Sequence, residues 1–160
     1  MITLRNENSF EAEESNSVGT PSGTGTGVEA FEVEVARLVN EFRAQNGKTP
    51  LDVDAALTQA AEEHSEDMAF KDFFSHTGSD GSKVGARVSE EGYKWRSVGE
   101  NIAAGQSTPQ KVFDAWKASP GHKANMLGSW EDMGVGYEYL ASDAGSVNYH
   151  HYWTLDFAVA

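Results

Sequence analysis

The sequence predicts an α+β sandwich, and three observations carry that reading. Apolar residues recur at helical spacing through the first half of the body. The C-terminal run switches to strict alternation, and one shorter alternating run lies between the two. At 160 residues the chain has single-domain length and can bury a sizeable core, which its 39% hydrophobic and 11% aromatic content would supply.

The elements follow in chain order. Residues 1–28 are rich in Glu, Ser, Thr and Gly, and Gly19-Thr-Pro21-Ser-Gly-Thr-Gly-Thr-Gly27 reads as a flexible linker, so this acidic tail is expected to stay unstructured. The folded domain is expected over residues 29–160. Phe31, Val35, Leu38, Val39 and Phe42 form one apolar helical stripe, with Gly47 as its stop. A second helix starts at Asp52 or Asp54 as N-cap and carries the stripe Leu57, Ala61, His64 and Met68. Its acids Glu62, Glu63, Glu66 and Asp67 are read as a solvated face. Past Phe70 the periodicity fails, and Asp72 to Gly81 reads as an extended stretch entering a turn.

A short helix is expected from Lys83 to Glu91, stopped by Gly92. Thr108-Pro109 supplies a cap and a first helical position, and Ser119-Pro120 repeats the signal for a helix ending at Gly128. Val135, Tyr137 and Tyr139 then alternate, Ser142 to Gly145 turns the chain, and Tyr149, His151, Trp153, Leu155, Phe157 and Val159 alternate again. That pattern predicts an antiparallel hairpin with one buried face.

Composition excludes several functions. The formal charge is −13, from 25 Asp+Glu against 12 Lys+Arg, which repels nucleic acid and anionic membrane. Residues 1–30 hold one Arg and five Glu, so most of that acidity sits in the body. No apolar run is long enough to span a bilayer, and no transmembrane segment is expected. Zero cysteines remove disulfides, thiolate nucleophiles and cysteine zinc sites together. The start, Met1 to Phe10, has neither the basic nor the apolar region of a secretory signal.

Three polar residues interrupt the patterning. Glu100, in Ser97-Val-Gly-Glu-Asn-Ile-Ala-Ala-Gly105, shares strand parity with Val98 and Ile102. A carboxylate on an apolar face requires a partner, either turn backbone or a histidine that it orients. His122 falls in the first turn of the helix capped by Ser119, where the helix dipole disfavours imidazolium and favours the neutral, metal-binding form. His76 lies between Phe74 and a turn. Two histidines and a carboxylate on separate elements have the composition of a transition-metal or acid–base site, although spacing does not prove that they converge. His64 reads as a hydrogen-bonded core histidine, and at most one of His150 and His151 can point inward.

Phe73-Phe-Ser-His76, Gly99-Glu-Asn-Ile102, Trp116-Lys-Ala-Ser-Pro-Gly-His122-Lys-Ala-Asn-Met-Leu127 and Trp153-Thr-Leu-Asp-Phe157 stand in the order seen in the CAP superfamily. That superfamily groups cysteine-rich secretory proteins, antigen 5 allergens and plant pathogenesis-related proteins. The chain most resembles its bacterial branch, the SCP-like extracellular proteins, from about Phe31 to Phe157. The resemblance implies a three-layer α-β-α sandwich, an extracellular location and a cleft lined by His76, Glu100 and His122. In some members the two cleft histidines, here His76 and His122, bind a divalent metal, often zinc. Ser119 stands where animal and plant members place a second cleft glutamate, and as an N-cap it has a structural explanation of its own. His64 occupies a position that is commonly tryptophan in eukaryotic members.

Three functions fit this reading. The first is a monomeric binding module whose cleft of His76, Glu100, Ser119 and His122 takes a small or lipidic ligand or a protein partner, with zinc as cofactor. The second is a metal-assisted hydrolase in which Glu100 serves as base beside His76 and His122. The third is a structural or interaction domain of a larger protein, the polar cluster being a buried hydrogen-bond network.

Overall fold

A computed structural model of the chain describes residues 27–160, so the expectation of an unstructured tail falls almost wholly outside the described residues. The first helix, α1, spans Gly27–Gln45 and buries Val35, Ala36, Leu38, Val39 and Phe42 along its expected stripe. It ends where Gly47 turns to φ +72°, a conformation glycine adopts without penalty, and Lys48 N–H closes back on the Arg43 carbonyl at 2.8 Å. A two-residue strand, β1 (Asp52–Val53), follows. Asp52 therefore belongs to a strand, and Asp54 alone caps the next helix, accepting from Leu57 N–H at 3.0 Å.

That helix, α2 (Ala55–Phe70), buries Leu57, Ala61, His64 and Met68 as its periodicity requires. Its acids are only partly a solvated face. Glu63 and Glu66 are exposed, whereas Glu62 and Asp67 are half-buried. Asp67 accepts from the Ser79 amide at 2.8 Å and the Ser79 hydroxyl at 2.6 Å. Residues 71–83 form turns rather than an extended stretch, starting at Asp72 with φ +59°. A short helix, α3 (Val84–Glu90), then leads into strand β2 (Ser97–Ala104).

The two proline-initiated helices are α4 (Pro109–Ala118), with Thr108 accepting from Lys111 N–H, and α5 (Pro120–Met126). The Ser119 hydroxyl makes no capping bond to α5, contrary to the role expected of it. Proline at the first helical position has no N–H, so α5 opens with one fewer donor to satisfy.

Strands β3 (Asp132–Tyr139) and β4 (His151–Val159) complete a four-stranded sheet in the order β1-β3-β4-β2. β1 runs parallel to β3, and the other pairings are antiparallel. β4 pairs with both β2 and β3, so it is central and buried on both faces, not on the one face a hairpin alone would bury. On one face Met133, Val135, Tyr137, Trp153, Leu155 and Phe157 pack against α1, α4 and α5. On the other, Ile102, Tyr152 and Ala158 meet α2 and α3. The α+β sandwich expected from the sequence is the architecture found.

Candidate functional site

β2 lies at a free edge of the sheet, and two consecutive residues in it point to opposite faces. Glu100 turns toward α2 and α3. Its Oε1 accepts from His76 Nδ1 at 2.8 Å and its Oε2 from Arg87 at 2.8 Å, with only 3% of the side chain exposed. Asn101 turns the other way. Its Nδ2 donates to the His122 carbonyl at 3.1 Å, and its Oδ1 accepts from Asn125 at 2.9 Å. One residue of β2 thus holds the ring of His76, and the next holds the first turn of the helix that carries His122.

The loop bearing His76 is fastened independently. Lys83 Nζ donates to the Thr77 hydroxyl at 2.7 Å, and Asp72 accepts from the backbone of Ser146 and Val147 at 3.0 and 2.8 Å. The His76 side chain remains 58% exposed. With Nδ1 engaged by Glu100, Nε2 is the ring nitrogen not held by that carboxylate.

Burial alone would raise the Glu100 carboxyl. The hydrogen bond from His76, neighbouring positive charge and an interaction with Asp156 outweigh it and hold the group below its ordinary range. Of the charges, Arg87 is the effective one, because burial also lowers His64 and keeps that ring neutral. Asp156 pairs with Glu100 directly across the sheet and is buried. Neither of its oxygens has a hydrogen-bond partner of good geometry. Burial first, and then the Glu100 charge, raise its carboxyl well above the usual value. The pair therefore consists of an anionic Glu100 and a protonated Asp156.

His122 is half-buried, and its imidazole is lowered by burial and then by the charge of His76. Desolvation and a neighbouring histidine thus act in the direction of the neutral form expected there. Ser119 is half-buried at the junction of α4 and α5. His64 donates Nε2–H to the Ser75 carbonyl at 2.9 Å inside the core, as expected of a structural histidine. His151 is the inward member of its pair, within 2.8 Å of the Tyr137 hydroxyl, and His150 caps the Leu140 carbonyl. Among the described residues no group of three or more His, Asp or Glu side chains is arranged to hold a metal ion.

Arg87 and Asp156 were not singled out in the sequence. Arg87 lies on α3 with no motif around it. Asp156 sits in an alternating run, where an acid between Leu155 and Phe157 reads as solvent-facing once one face of the strand is assumed to be wet.

A helix–sheet–helix sandwich with a histidine–carboxylate pair at the free edge of its sheet defines a CAP-type domain. The chain belongs to the cysteine-rich secretory protein family (CAP), whose family model matches residues 36–157, although it contains no cysteine. It is 34% identical over 139 residues to the uncharacterized protein YkwD of Bacillus subtilis, covering 86% of this chain and 51% of that protein. It is 30% identical over 108 residues to the uncharacterized membrane protein YlbC of the same organism, covering 67% and 31% respectively. The chain thus spans about half or less of the curated relatives it matches. Among solved structures, an extracellular protein containing an SCP domain from Bacillus anthracis superposes with a TM-score of 0.74 at 24% identity, over 88% of this chain and 44% of that one. An outer surface protein of Borrelia burgdorferi gives 0.69 at 18% identity, over 78% and 89%.

Proposed function

We propose that this domain is an extracellular binding module whose ligand engages His76 and His122 at the edge of β2, together with one divalent metal, zinc being favoured. The observation that carries the reading is the pairing of Glu100 with the His76 ring and of Asn101 with the His122 backbone, which ties the two histidine-bearing segments to adjacent residues of one strand. The carboxylate behind His76 Nδ1 is the outer-shell partner that metal-binding histidines commonly have, and desolvation keeps His122 neutral. His76 and His122 would hold the ion, which supplies a Lewis-acidic centre with positions open to an external donor. A small or lipidic molecule or a protein segment would fill those positions. The description of the Bacillus anthracis neighbour as extracellular supports the location.

Binding is preferred to hydrolysis because of Glu100. Both its oxygens are engaged and its carboxyl is held anionic, so it orients His76 and is poorly placed to take a proton from water. Calorimetric titration of the full chain with zinc tests the reading. Saturable heat in the parent should be lost in His122→Ala and in the His76→Gln/His122→Gln double variant. Equal heats in parent and variants would remove the metal from the proposal. A large stability loss in the double variant in metal-free buffer, with no zinc binding by the parent, would make the cluster a structural network.

A further inference from the structure

The opposite edge of the sheet carries a second feature, unconnected with the histidines. A groove of about 640 Å³ opens between α1, β1, the first half of α2 and β3. Its apolar wall is Val28, Val33, Ala36, Val53 and Val135, and Val33 and Val53 are left exposed to water at 65% and 60%. Most apolar side chains of that size are buried, and two standing open on the rim of one concavity mark a surface that a ligand can cover.

Three carboxyls line the groove, Glu29 and Glu32 from α1 and Glu62 from α2. Glu32 is 6% exposed, with Oε1 accepting from the Tyr137 amide at 3.0 Å. Burial first, then the charge of Glu62 and a hydrogen bond with it, raise Glu32 to about 9, and the charge of Glu29 adds to the shift. Carboxyls gathered beside an apolar wall call for a positively charged counter-ion. The groove's arginine does not provide one. Arg37 is committed to Glu34 at 2.9 and 2.8 Å and to Glu41 at 3.0 Å, on exposed side chains.

We infer that this groove binds an amphiphilic organic cation, with a primary ammonium group seated on Glu32 and Glu62 and an apolar body laid along Val28, Val33, Val53 and Val135. The charge selects this occupant over the others. A fatty acid would bring a carboxylate to an acidic groove, and an alcohol carries no charge to match it. A second copy of the chain, formally −13, would dock acid against acid. Residues 1–26 carry four Glu against one Arg, so they are poorly matched as well.

The test uses the isotope-labelled full chain, with amide spectra recorded on adding n-octylamine, n-octanol or octanoate. Octylamine should shift Val33, Val53 and Val135 and bind about tenfold more tightly than octanol, and octanoate should leave those signals in place. Glu62→Gln, at a half-buried position, should bring octylamine down to the octanol affinity; if that variant fails to fold, Glu62→Ala serves. Equal binding of amine and alcohol overturns the inference, as does a preference that survives the glutamine substitution. Shifts at Val33 and Val53 that vary with protein concentration before any amine is added would assign the groove to a second copy. Shifts there in Arg5→Gln would assign it to the N-terminal residues, and either result also overturns the inference. The zinc titration probes the far edge of the sheet, so the two proposals fail independently.

Discussion

A single proton distinguishes Asp156 from Glu100, and the two positions should respond differently to the loss of their charge. Glu100→Gln leaves the Arg87 guanidinium without its carboxylate and leaves a single amide oxygen to serve both His76 and Arg87. Breaking one side of a buried ion pair costs about 3–5 kcal/mol. Asp156→Asn replaces a protonated acid by a neutral amide of nearly the same shape, so stability at pH 7 should change by less than about 1 kcal/mol. Urea denaturation of both variants checks this, and equal losses would mean that Asp156 is an anion. His151 gives a pH signature from the other face of the sheet. Burial, with help from the charges of His150 and Lys111, lowers it to about 4 from the ordinary histidine value of 6.5. A depressed folded value means that the native state binds fewer protons there. The contribution is therefore complete above pH 6.5 and is lost as pH falls toward 4, by at most about 3 kcal/mol. His151→Gln should flatten the stability profile of the chain across that window, and an unchanged acid slope would remove His151 as its source. His76, Glu100 and His122 were legible as single residues because each broke an apolar or capping pattern. Arg87 and Asp156 were not, since their role exists only where α3 and β4 are brought against β2.

Helix α2 is seated on β3 backbone to backbone, and two glycines make that possible. A Cβ on Gly134 would lie 2.2 Å from the Leu57 carbonyl carbon and the Thr58 nitrogen, and one on Gly136 would lie 2.2 Å from the Ala61 carbonyl carbon. Neither contact is with a flexible side chain, so the helix itself would have to move. Gly134→Ala and Gly136→Ala should each cost about 3 kcal/mol or more, as overpacking does at its severe end. Gly121→Ala, with nothing within 4 Å of the added carbon, should stay within about 1 kcal/mol of the parent. Thermal denaturation of the three variants decides it, and mild effects at positions 134 and 136 would mean that α2 rides higher on the sheet. Helix limits at Asp54, Gly47, Thr108-Pro109 and Gly92 were readable because caps and stops act within a few residues. The alternation of Val135, Tyr137 and Tyr139 was readable too, yet the intervening glycines take their meaning from a helix almost eighty residues upstream. The strand β1 carries no pattern of its own, because two residues paired to Asp132 and Met133 are too short to show a period.

At the scale of the whole molecule, the last strand organises the rest. β4 aligns Tyr152 through Val159 with β2 and His151 through Ala158 with β3, so both edges of its backbone are occupied. Trp153, Leu155 and Phe157 enter the larger core on one face, while Tyr152 and Ala158 enter the smaller clusters on the other. Without β4, strand β2 has no partner in the sheet, Glu100 loses its cross-strand neighbour, and β3 retains only its two-residue pairing with β1. The helices cannot compensate, because most helical stability in a protein comes from packing an apolar face, and here that face packs on this sheet. A chain ended at His150 should therefore lack a cooperative unfolding transition and show collapsed amide dispersion, even though it keeps His76, Glu100, Asn101 and His122. Zinc should not restore order to it, since the two histidines are set by β2, and β2 is set by β4. A well-dispersed spectrum from the shortened chain would show that the helices and β3 form an autonomous core, and β4 would then be an addition to the fold rather than its centre.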